Sequence, residues 1–240
     1  MLHRTTRQDQ TGNDFRSAVR GLVLDMDGTL FESESLHSEA WKRVFAEIGL
    51  QFPDQWYHQW VGVTDERMIR TVTAEYAPAQ DPEALLARKM ALFPEMASGA
   101  LCAFPGVRER LERVRDCGLP MVLCTSSRRD DCDLTLRETG LADLLPLRVC
   151  INDVTAPKPD PDPYLRAVAL LGLEPGQCAA IEDSPSGTTS ARAAGCRVIG
   201  VATTHEPERL TNAELVFPTT ADALDWLLET MEGEKNFSHR

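Results

Sequence analysis

The sequence lacks any apolar run near the roughly 20 residues that a membrane-spanning helix requires, and positive charge is sparse for its length. Its 25 lysine and arginine residues are outnumbered by 37 aspartate and glutamate residues, which gives a formal net charge of -12. This balance disfavours nonspecific binding to nucleic acid or to an anionic membrane. A small anionic substrate remains compatible with it, because one divalent metal ion and one lysine can dominate the local field.

Cysteine pairs and targeting segments are also missing. The seven cysteines are scattered, odd in number and free of C-x-x-C pairs, a pattern that favours a reducing compartment and disfavours a zinc site. Residues 1–20 contain arginines but no apolar segment typical of a secretory signal. We therefore expect a cytoplasmic protein that acts on small molecules as a monomer or weak homodimer. Residues 1–18 and 233–240 are expected to be a flexible leader and a flexible tail.

Short apolar segments separated by helical patterns predict an α/β fold. Strand-like segments lie at residues 19–25, 121–125, 147–151, 178–182, 198–201 and 215–217. Between most of them, apolar residues recur at helical spacing. This alternation indicates right-handed crossovers, and hence a doubly wound parallel sheet covered by helices on both faces.

The segment between the first two strands breaks this rhythm, because its length of about 90 residues far exceeds what a crossover needs. Residues 36–48, 67–76 and 82–96 read as helices with apolar faces of their own. We therefore expect a helical subdomain at residues 32–103, inserted into a core formed by residues 19–31 and 104–232. Its hinges are expected at residues 31–35 and 101–105.

The most informative segment is the end of the first strand, where Asp25 and Asp27 flank Met26 and precede Gly28. Open α/β sheets place their active sites at the carboxyl ends of such strands. Because the chain turns at Gly28, both carboxylates can face one cavity. One carboxylate can then bind a cation or attack a substrate while the other transfers protons. Taken alone, the pattern also fits a strand that ends in solvated acids.

Three further segments carry chemistry at similar positions. Residues 125–127 place hydroxyls after the second strand, Lys158 lies between two prolines, and Glu182 and Asp183 end a later strand. Taken singly, these features also fit a helix cap, a solvated loop lysine and an acidic cap. Their joint occurrence at strand ends and loops favours one shared site.

An acid pair, a hydroxyl, a lysine and a second acid pair, in that order, resemble the four motifs of the haloacid dehalogenase superfamily. The resemblance extends over roughly residues 20–220, and the segments around Asp27, Lys158 and Glu182 are most similar to the β-phosphoglucomutase and sugar-phosphatase branch. It implies a Rossmann-like core with a helical cap inserted after the first motif. It also implies a Mg²⁺-dependent enzyme that forms an aspartyl-phosphate.

The resemblance assigns a role to each motif residue. Asp25 is expected to be the nucleophile, and Asp27 the general acid that protonates the leaving oxygen and later activates water. Thr125 and Ser126 are expected to hold the transferring phosphoryl group, and Lys158 to offset the charge of Asp25 and the phosphate. The expected magnesium ligands are Asp25, the main-chain carbonyl of Asp27, Asp183 and, directly or through water, Glu182.

Residues of the insertion are expected to position the acid and select the substrate. His37 falls where this branch carries a histidine that helps to position the general acid, although a surface histidine is the alternative. Residues 62–64 resemble the specificity loop of the cap. In the mutases an arginine follows that loop and holds a second phosphate, whereas this chain has Asp65. We expect Arg67 or Lys89 to compensate.

Residues after the second motif are further candidates for substrate binding. Ser127, Arg128 and Arg129 are expected to contact a distal phosphate, although both arginines also fit solvated charges on the first turn of a helix.

Several functions fit these motifs. A phosphomutase shares every core residue with a phosphatase, but Asp65 in place of an arginine favours hydrolysis. A signalling receiver module also uses aspartate, hydroxyl and lysine, but the first-strand position of Asp25 and the long insertion disfavour it. Asp27 disfavours dehalogenases and phosphonatases, which usually lack an aspartate at that spacing. We therefore predict a Mg²⁺-dependent phosphatase that acts on a small phosphorylated metabolite such as a sugar or polyol phosphate.

Overall fold

The computed structural model describes residues 14–60 and 63–237. Within these residues the strands are β1 (Gly21–Leu24), β2 (Met121–Cys124), β3 (Arg148–Val149), β4 (Cys178–Glu182), β5 (Arg197–Val201) and β6 (Leu215–Phe217). They form one parallel sheet in the order β3-β2-β1-β4-β5-β6. The predicted doubly wound parallel sheet is confirmed.

The central strands are apolar throughout because helices cover both faces of the sheet. All four residues of β1 are buried. Successive side chains of a strand point to opposite faces, so Leu22 and Leu24 join one hydrophobic cluster while Val23 joins another. Asp25, the first candidate site residue, therefore follows a strand that packs against hydrophobic clusters on both faces of the sheet.

Helices account for most of the remaining described residues. They are α1 (Glu34–Glu47), α2 (Asp65–Tyr76), α3 (Pro82–Ala97), α4 (Val107–Asp116), α5 (Arg129–Glu138), α6 (Asp162–Leu171), α7 (Pro185–Ala193) and α8 (Thr220–Phe237). Helices α4, α5 and α8 supply residues to the cluster that contains Leu22, whereas α6 and α7 supply the cluster that contains Val23. In the described part of the chain, no helix combines the length and apolar character that a membrane span needs.

The predicted helical insertion is present between β1 and β2. Helices α1, α2 and α3, with a 3₁₀ helix at Asp54–Trp60, enclose a hydrophobic cluster of their own around Trp41, Phe45 and Ile69. The chain leaves and re-enters the core at adjacent points, because Phe31 pairs with Ala103 and the amide of Phe104 donates to the carbonyl of Leu30 at 2.9 Å. The exact division at residues 32 and 103 stays a prediction.

Three strands are shorter than predicted, and β2 differs only in that it ends at Cys124 instead of residue 125. The other two differ by more. Strand β1 begins at Gly21 instead of residue 19 and ends at Leu24, because the chain turns away toward the site at Asp25. Strand β3 comprises only Arg148–Val149 instead of residues 147–151, because a 3₁₀ helix begins at Ile151. Both differences lie at strand ends, where the apolar pattern continues beyond the backbone pairing.

Part of the predicted leader and part of the predicted tail are helical. Residues 14–18 are helical, and Phe15 is only 1% exposed because its ring packs edge-on against Trp226, with ring centroids 5.6 Å apart. Phe15 and Val19 have the i,i+4 spacing that places both on one side of a helical turn, and both are buried. Helix α8 continues to Phe237. Residues 1–13 and 238–240 lie outside the described residues.

Candidate active site

The four motif segments meet at the carboxyl edge of the central strands. Asp25 follows β1. Thr125 follows β2 and Asp183 follows β4, and these two strands flank β1 in the sheet. One cavity is lined by all three of these side chains together with Asp27 and Lys158. The strand order reverses at β1, and this is where doubly wound sheets open a crevice for ligands.

Lys158 is the cation at the bottom of this cavity. Its Nζ donates to Asp25 Oδ1 at 2.6 Å, to Glu182 Oε1 at 2.6 Å and to the carbonyl of Cys124 at 3.0 Å. Burial disfavours the ammonium, but the charges of Asp25 and Glu182 outweigh it and raise the pKa of Lys158 well above its usual value. Lys158 is therefore a buried, charged group rather than a solvated loop lysine.

Glu182 holds Lys158 in place. Its Oε1 also accepts from the hydroxyl of Tyr164 at 2.9 Å, and its Oε2 accepts from the main-chain amides of Asp183 and Ser184, each at 3.1 Å. A Cβ atom added at Gly187, in the first turn of α7, would lie 1.7 Å from Oε1. The close approach of α7 to this carboxylate thus requires glycine at position 187.

Asp183 and Asp25 concentrate negative charge beside one another. Burial and the neighbouring Glu182 raise the pKa of Asp25 to about 7, although Lys158 acts in the opposite direction. Burial and repulsion from Asp25 and Glu182 also raise the pKa of Asp183 well above its usual value. Oxygens of these three carboxylates lie within 4.8 Å of one another. Such an excess of buried carboxylate oxygens fits a magnesium ion.

The turn after β1 brings the first motif against Asp183. Thr29 Oγ1 donates to Asp183 Oδ1 at 3.1 Å, and the hydroxyl of Thr204 donates to Oδ2. Gly28 has a φ of 76°, and a Cβ atom there would lie 2.3 Å from Asp183 Oδ2. Gly28 therefore serves both the left-handed turn and the close contact.

Asp27 lies in a different electrostatic environment. Its Oδ2 accepts from Ser127 Oγ at 2.8 Å, its Oδ1 accepts from the hydroxyl of Ser33, and His37 Nε2 lies 3.7 Å from Oδ1. Burial favours the neutral acid, but His37 and the two hydroxyls together lower the pKa of Asp27 to about 2. The pKa values of the two aspartates are thus displaced in opposite directions, and in the free site Asp27 is the one that stays ionised.

His37 is oriented by a buried lysine. Lys89 Nζ lies 2.9 Å from His37 Nδ1 and donates to Asp65 Oδ2 at 2.7 Å, while Asp65 Oδ1 accepts from Trp41 Nε1 at 2.8 Å. Because an ammonium group only donates, Nδ1 of His37 is the acceptor, which leaves the ring proton on Nε2, toward Asp27. The ring also stacks on Phe93. His37 is therefore a site residue rather than a surface histidine.

Neither predicted compensating cation reaches the cavity. Lys89 is fully buried and bound to Asp65. Arg67 is exposed, because α2 turns Met68 and Ile69 toward the interior and position 67 away from it. This corrects the expectation that Arg67 or Lys89 contacts substrate. The specificity loop is only partly described, since Gly62 lies outside the described residues while Val63 lines the cavity.

The residues after the second motif divide into two groups. Ser126, Ser127 and Arg128 line the cavity, and Thr125 Oγ1 accepts from the amide of Ser127 at 3.0 Å. Arg129 instead forms an ion pair with Asp153, outside the residues that line the cavity. The structure therefore does not bring Arg129 to the cavity, and its side chain is 37% exposed.

Sequence reasoning missed several residues of the cavity. Glu34, Tyr57, Trp60, Glu66 and Asp131 all line it, and no motif marks any of them. The available signal is positional: Asp131 lies in the first turn of the helix after the second motif, and Glu34 in the first turn of the helix after the first.

Comparisons with known proteins agree with this geometry. A family model described as haloacid dehalogenase-like hydrolase matches residues 22–201. The validoxylamine A 7'-phosphate phosphatase of Streptomyces hygroscopicus subsp. limoneus is 31% identical over 195 residues, covering 81% of this chain and 91% of that protein. The β-phosphoglucomutase of Bacillus subtilis (strain 168) is 26% identical over 223 residues, covering 89% and 96%. The crystal structure of CbbY from Rhodobacter sphaeroides in complex with phosphate has a TM-score of 0.77 at 22% identity, covers 85% of this chain and 96% of its own, and shows the shared fold.

Proposed function

The chain belongs to the haloacid dehalogenase-like hydrolases, and on that premise we propose that it is a Mg²⁺-dependent phosphatase that hydrolyses a sugar or polyol monophosphate through an aspartyl-phosphate on Asp25. The observation that carries the proposal is the contact of Lys158 with both Asp25 and Glu182, in a cavity that Thr125 and Asp183 also line. A relative that is named as a phosphatase, and whose match covers most of this chain, supports the same reaction.

The proposed reaction has two steps. Asp25 attacks the phosphorus atom, the bond to the leaving oxygen breaks, and Asp27 supplies the proton that this oxygen takes up. Asp27 then accepts a proton from water, whose oxygen attacks the aspartyl-phosphate and restores the carboxylate of Asp25. Asp27 is ionised in the free site, and a phosphoryl group beside it raises its pKa and favours the protonated form needed in the first step.

The charges of the site suit this chemistry. Lys158 is proposed to offset the negative charge shared by Asp25 and the phosphoryl oxygens, and Thr125 and the amide of Ser126 are proposed to donate to those oxygens. Asp25 and Asp183, with the main-chain carbonyl of Asp27, are proposed to hold magnesium, which supplies further charge neutralisation when bound. Glu182 is already saturated by protein donors and is proposed to act through Lys158.

The insertion is proposed to act as a cap at residues 32–103 that closes one side of the cavity. A mutase must hold a bisphosphate by both ends, so it needs a cation at the far end from Asp25. Lys89 on the insertion is bound to Asp65, and Arg128 lies 3.5 Å from Glu66. This pairing favours water over a second sugar phosphate as the phosphoryl acceptor.

Phosphate release across a panel of sugar, polyol and nucleoside monophosphates tests the proposal. Activity should require magnesium, disappear with EDTA and return when magnesium is restored. Asp183→Ala should weaken magnesium binding, and so raise the magnesium concentration that activity requires, more than Lys158→Ala does. Equal effects of the two substitutions would contradict the metal assignment. A further assay supplies β-glucose 1-phosphate with a trace of the 1,6-bisphosphate. Rapid formation of glucose 6-phosphate without inorganic phosphate would contradict the proposed phosphatase and identify a mutase.

A further inference from the structure

The turn after β5 contacts the candidate magnesium carboxylate from outside the four motifs. Thr204 lies three residues beyond Val201, the last residue of β5, and its hydroxyl donates to Asp183 Oδ2. The same hydroxyl is farther, at 3.3 Å, from the main-chain carbonyl of Asp183. The other carboxylate oxygen, Oδ1, accepts from Thr29 Oγ1 at 3.1 Å. Both oxygens of Asp183 are therefore held by hydroxyl groups, and one of these groups comes from a turn to which the proposed reaction gives no role.

The surroundings of Thr204 fix the direction of its hydroxyl. Its methyl group faces Gly28, since a Cβ atom at position 28 would lie 2.6 Å from Thr204 Cγ2. The hydroxyl of Thr203 donates to the carbonyl of Gly28, and the amide of Ala202 donates to the carbonyl of Phe217 in β6 at 2.9 Å. The turn is thus anchored both to the sheet and to the first motif, with the methyl group of Thr204 on the first motif and its hydroxyl on the carboxylate.

His205 orients that hydroxyl. Its Nδ1 lies 2.9 Å from Thr204 Oγ1 and 3.2 Å from the main-chain carbonyl of Asp183. Because a carbonyl oxygen only accepts, Nδ1 of His205 carries the ring proton and is the donor. The hydroxyl of Thr204 then accepts from His205, and its own proton is directed to Asp183 Oδ2. The three residues form a chain of hydrogen bonds that runs from His205 through Thr204 to Asp183.

Asp183 has to be held in place because negative charge surrounds it. One oxygen of each of Asp25, Glu182 and Asp183 lies within 4.8 Å of the other two, and like charges this close repel one another. Lys158 contacts Asp25 and Glu182, whereas in the described part of the chain no lysine or arginine forms an ion pair with Asp183. The two hydroxyl donors therefore keep this carboxylate beside the other oxygens that magnesium would bind.

On the premise of the proposed phosphatase, we propose that Thr204 and His205 are positioning residues for magnesium. Thr204 fixes the rotamer of Asp183, and His205 fixes the hydroxyl of Thr204. Both act through Asp183, because neither is among the described residues that line the cavity. Groups that hydrogen-bond a metal-ligating carboxylate typically contribute about 10–100-fold to metal affinity.

Magnesium binding to the full chain, measured by calorimetry without substrate, tests this inference. Thr204→Ser and Thr204→Ala differ by one oxygen atom, so their comparison separates the hydroxyl from the lost methyl group. Thr204→Ala should weaken magnesium affinity about tenfold, and Thr204→Ser should stay within about threefold of the wild type. Thr139→Ala is the matched control, because it removes a half-buried threonine hydroxyl that donates to the carbonyl of Thr135 at 2.8 Å, outside the cavity lining. It should leave the affinity unchanged.

A second pair of variants tests His205. His205→Asn keeps an N–H donor near the position of Nδ1, whereas His205→Ala removes it. His205→Ala should weaken magnesium affinity less than Thr204→Ala does, because it acts one hydrogen bond farther from the metal. His205→Asn should restore most of this loss. If His205→Ala binds magnesium as tightly as the wild type, the role of His205 is overturned.

Unfolding in urea with and without magnesium separates positioning from a general loss of stability. A ligand stabilises the folded state in proportion to the logarithm of its concentration over Kd. Positioning therefore predicts that a fixed magnesium concentration stabilises Thr204→Ala less than it stabilises Thr204→Ser. A purely structural role would lower stability equally with and without magnesium.

The inference is overturned if Thr204→Ala and Thr204→Ser bind magnesium equally well, or if the wild type binds none. Phosphate release by the wild-type chain is scored separately. Weaker magnesium binding by Thr204→Ala, without phosphate release by the wild type, would support the positioning role and refute the proposed phosphatase. Magnesium-dependent phosphate release, with equal magnesium affinity of the two Thr204 variants, would do the reverse.

Discussion

Replacing Gly187 by alanine should disable the site while the protein stays folded. The added Cβ would lie 1.7 Å from Oε1 and 1.9 Å from Cδ of Glu182, whereas ordinary contacts begin near 3.4 Å. Because α7 is fixed by its packing on the sheet, the Glu182 carboxylate must retreat by roughly 1.5 Å to reach an ordinary contact. The hydrogen bonds that Lys158 and Tyr164 donate to Oε1, now 2.6 and 2.9 Å long, would then be lost.

The size of the effect follows from the position of Lys158. This ammonium is held between Asp25 and Glu182, so movement of Glu182 allows it to shift relative to the phosphoryl group. A misplacement of about 1 Å in a catalytic group costs on the order of a hundredfold in rate. We therefore expect kcat/KM for phosphate release to fall by roughly that factor.

A stability measurement separates this cause from a general effect of the substitution. Alanine in place of glycine within a helix normally stabilises by about 0.5–1 kcal/mol, so an unstrained Gly187→Ala would raise Tm. The clash with Glu182 predicts a lower Tm instead. Gly176→Ala is the control, since no heavy atom lies within 4 Å of the added Cβ, and it should leave kcat/KM unchanged.

A double variant tests whether the loss acts through Glu182. Glu182→Asp shortens the side chain and removes the atoms that the new methyl group would strike. Adding Gly187→Ala to Glu182→Asp should therefore cost little more than Glu182→Asp alone. The reasoning is refuted if Gly187→Ala keeps kcat/KM within about threefold of the wild type, or if the two losses simply add.

Three further substitutions have distinct expected outcomes. Asp25→Asn should abolish phosphate release. Burial and Glu182 raise the folded-state pKa of Asp25 from 3.8 to about 7, so the folded state holds this proton more tightly than the unfolded state does. The metal-free wild type should therefore lose stability relative to this variant as pH rises from about 4 to about 7. Parallel Tm profiles against pH would contradict this. Phe15→Ala should lower the free energy of unfolding by about 3–5 kcal/mol in urea titrations, because it leaves a cavity beside Trp226. It should not change KM, because neither Phe15 nor Trp226 lines the cavity that contains Asp25. A loss below about 1 kcal/mol would show that residues 14–18 do not pack on the core. Lys89→Met should lower the free energy of unfolding by about 3 kcal/mol in urea titrations, because Asp65 is left without its cation. Adding Asp65→Asn should recover part of that loss. If nothing is recovered, the loss does not come from the unpaired charge of Asp65.

The fold was largely predictable from the sequence because its sheet is buried on both faces. Strands such as β4, which the sequence predicts over the residues observed, are bounded by abrupt changes from apolar to charged side chains. The edge strand β3 was overestimated, since apolar residues there continue into a 3₁₀ helix. Residues 14–18 were missed because only two apolar residues, Phe15 and Val19, mark one short helical turn.

The candidate site was predictable only where its residues belong to motifs at strand ends. Asp25, Thr125, Lys158 and Asp183 line one cavity as expected. The pair formed by Lys89 and Asp65 was not foreseen, because it joins two helices across 24 positions of the chain. A lysine in an amphipathic helix is normally solvated, and only the packing of α3 against α1 reveals that this one is buried.

The contact between Phe31 and Ala103, where the insertion leaves and rejoins the core, has a consequence for how such a protein can diversify. The two ends of the insertion are held together by the core itself, and the entropy of closing a longer loop between fixed ends rises only slowly with length. The insertion can therefore be lengthened, shortened or exchanged without shifting the register of β1 against β2. Substrate selectivity can therefore change while the catalytic residues of the core stay the same. Ser33 and His37 are the exception, because they belong to the insertion and contact Asp27. An insertion without them would change the protonation of Asp27.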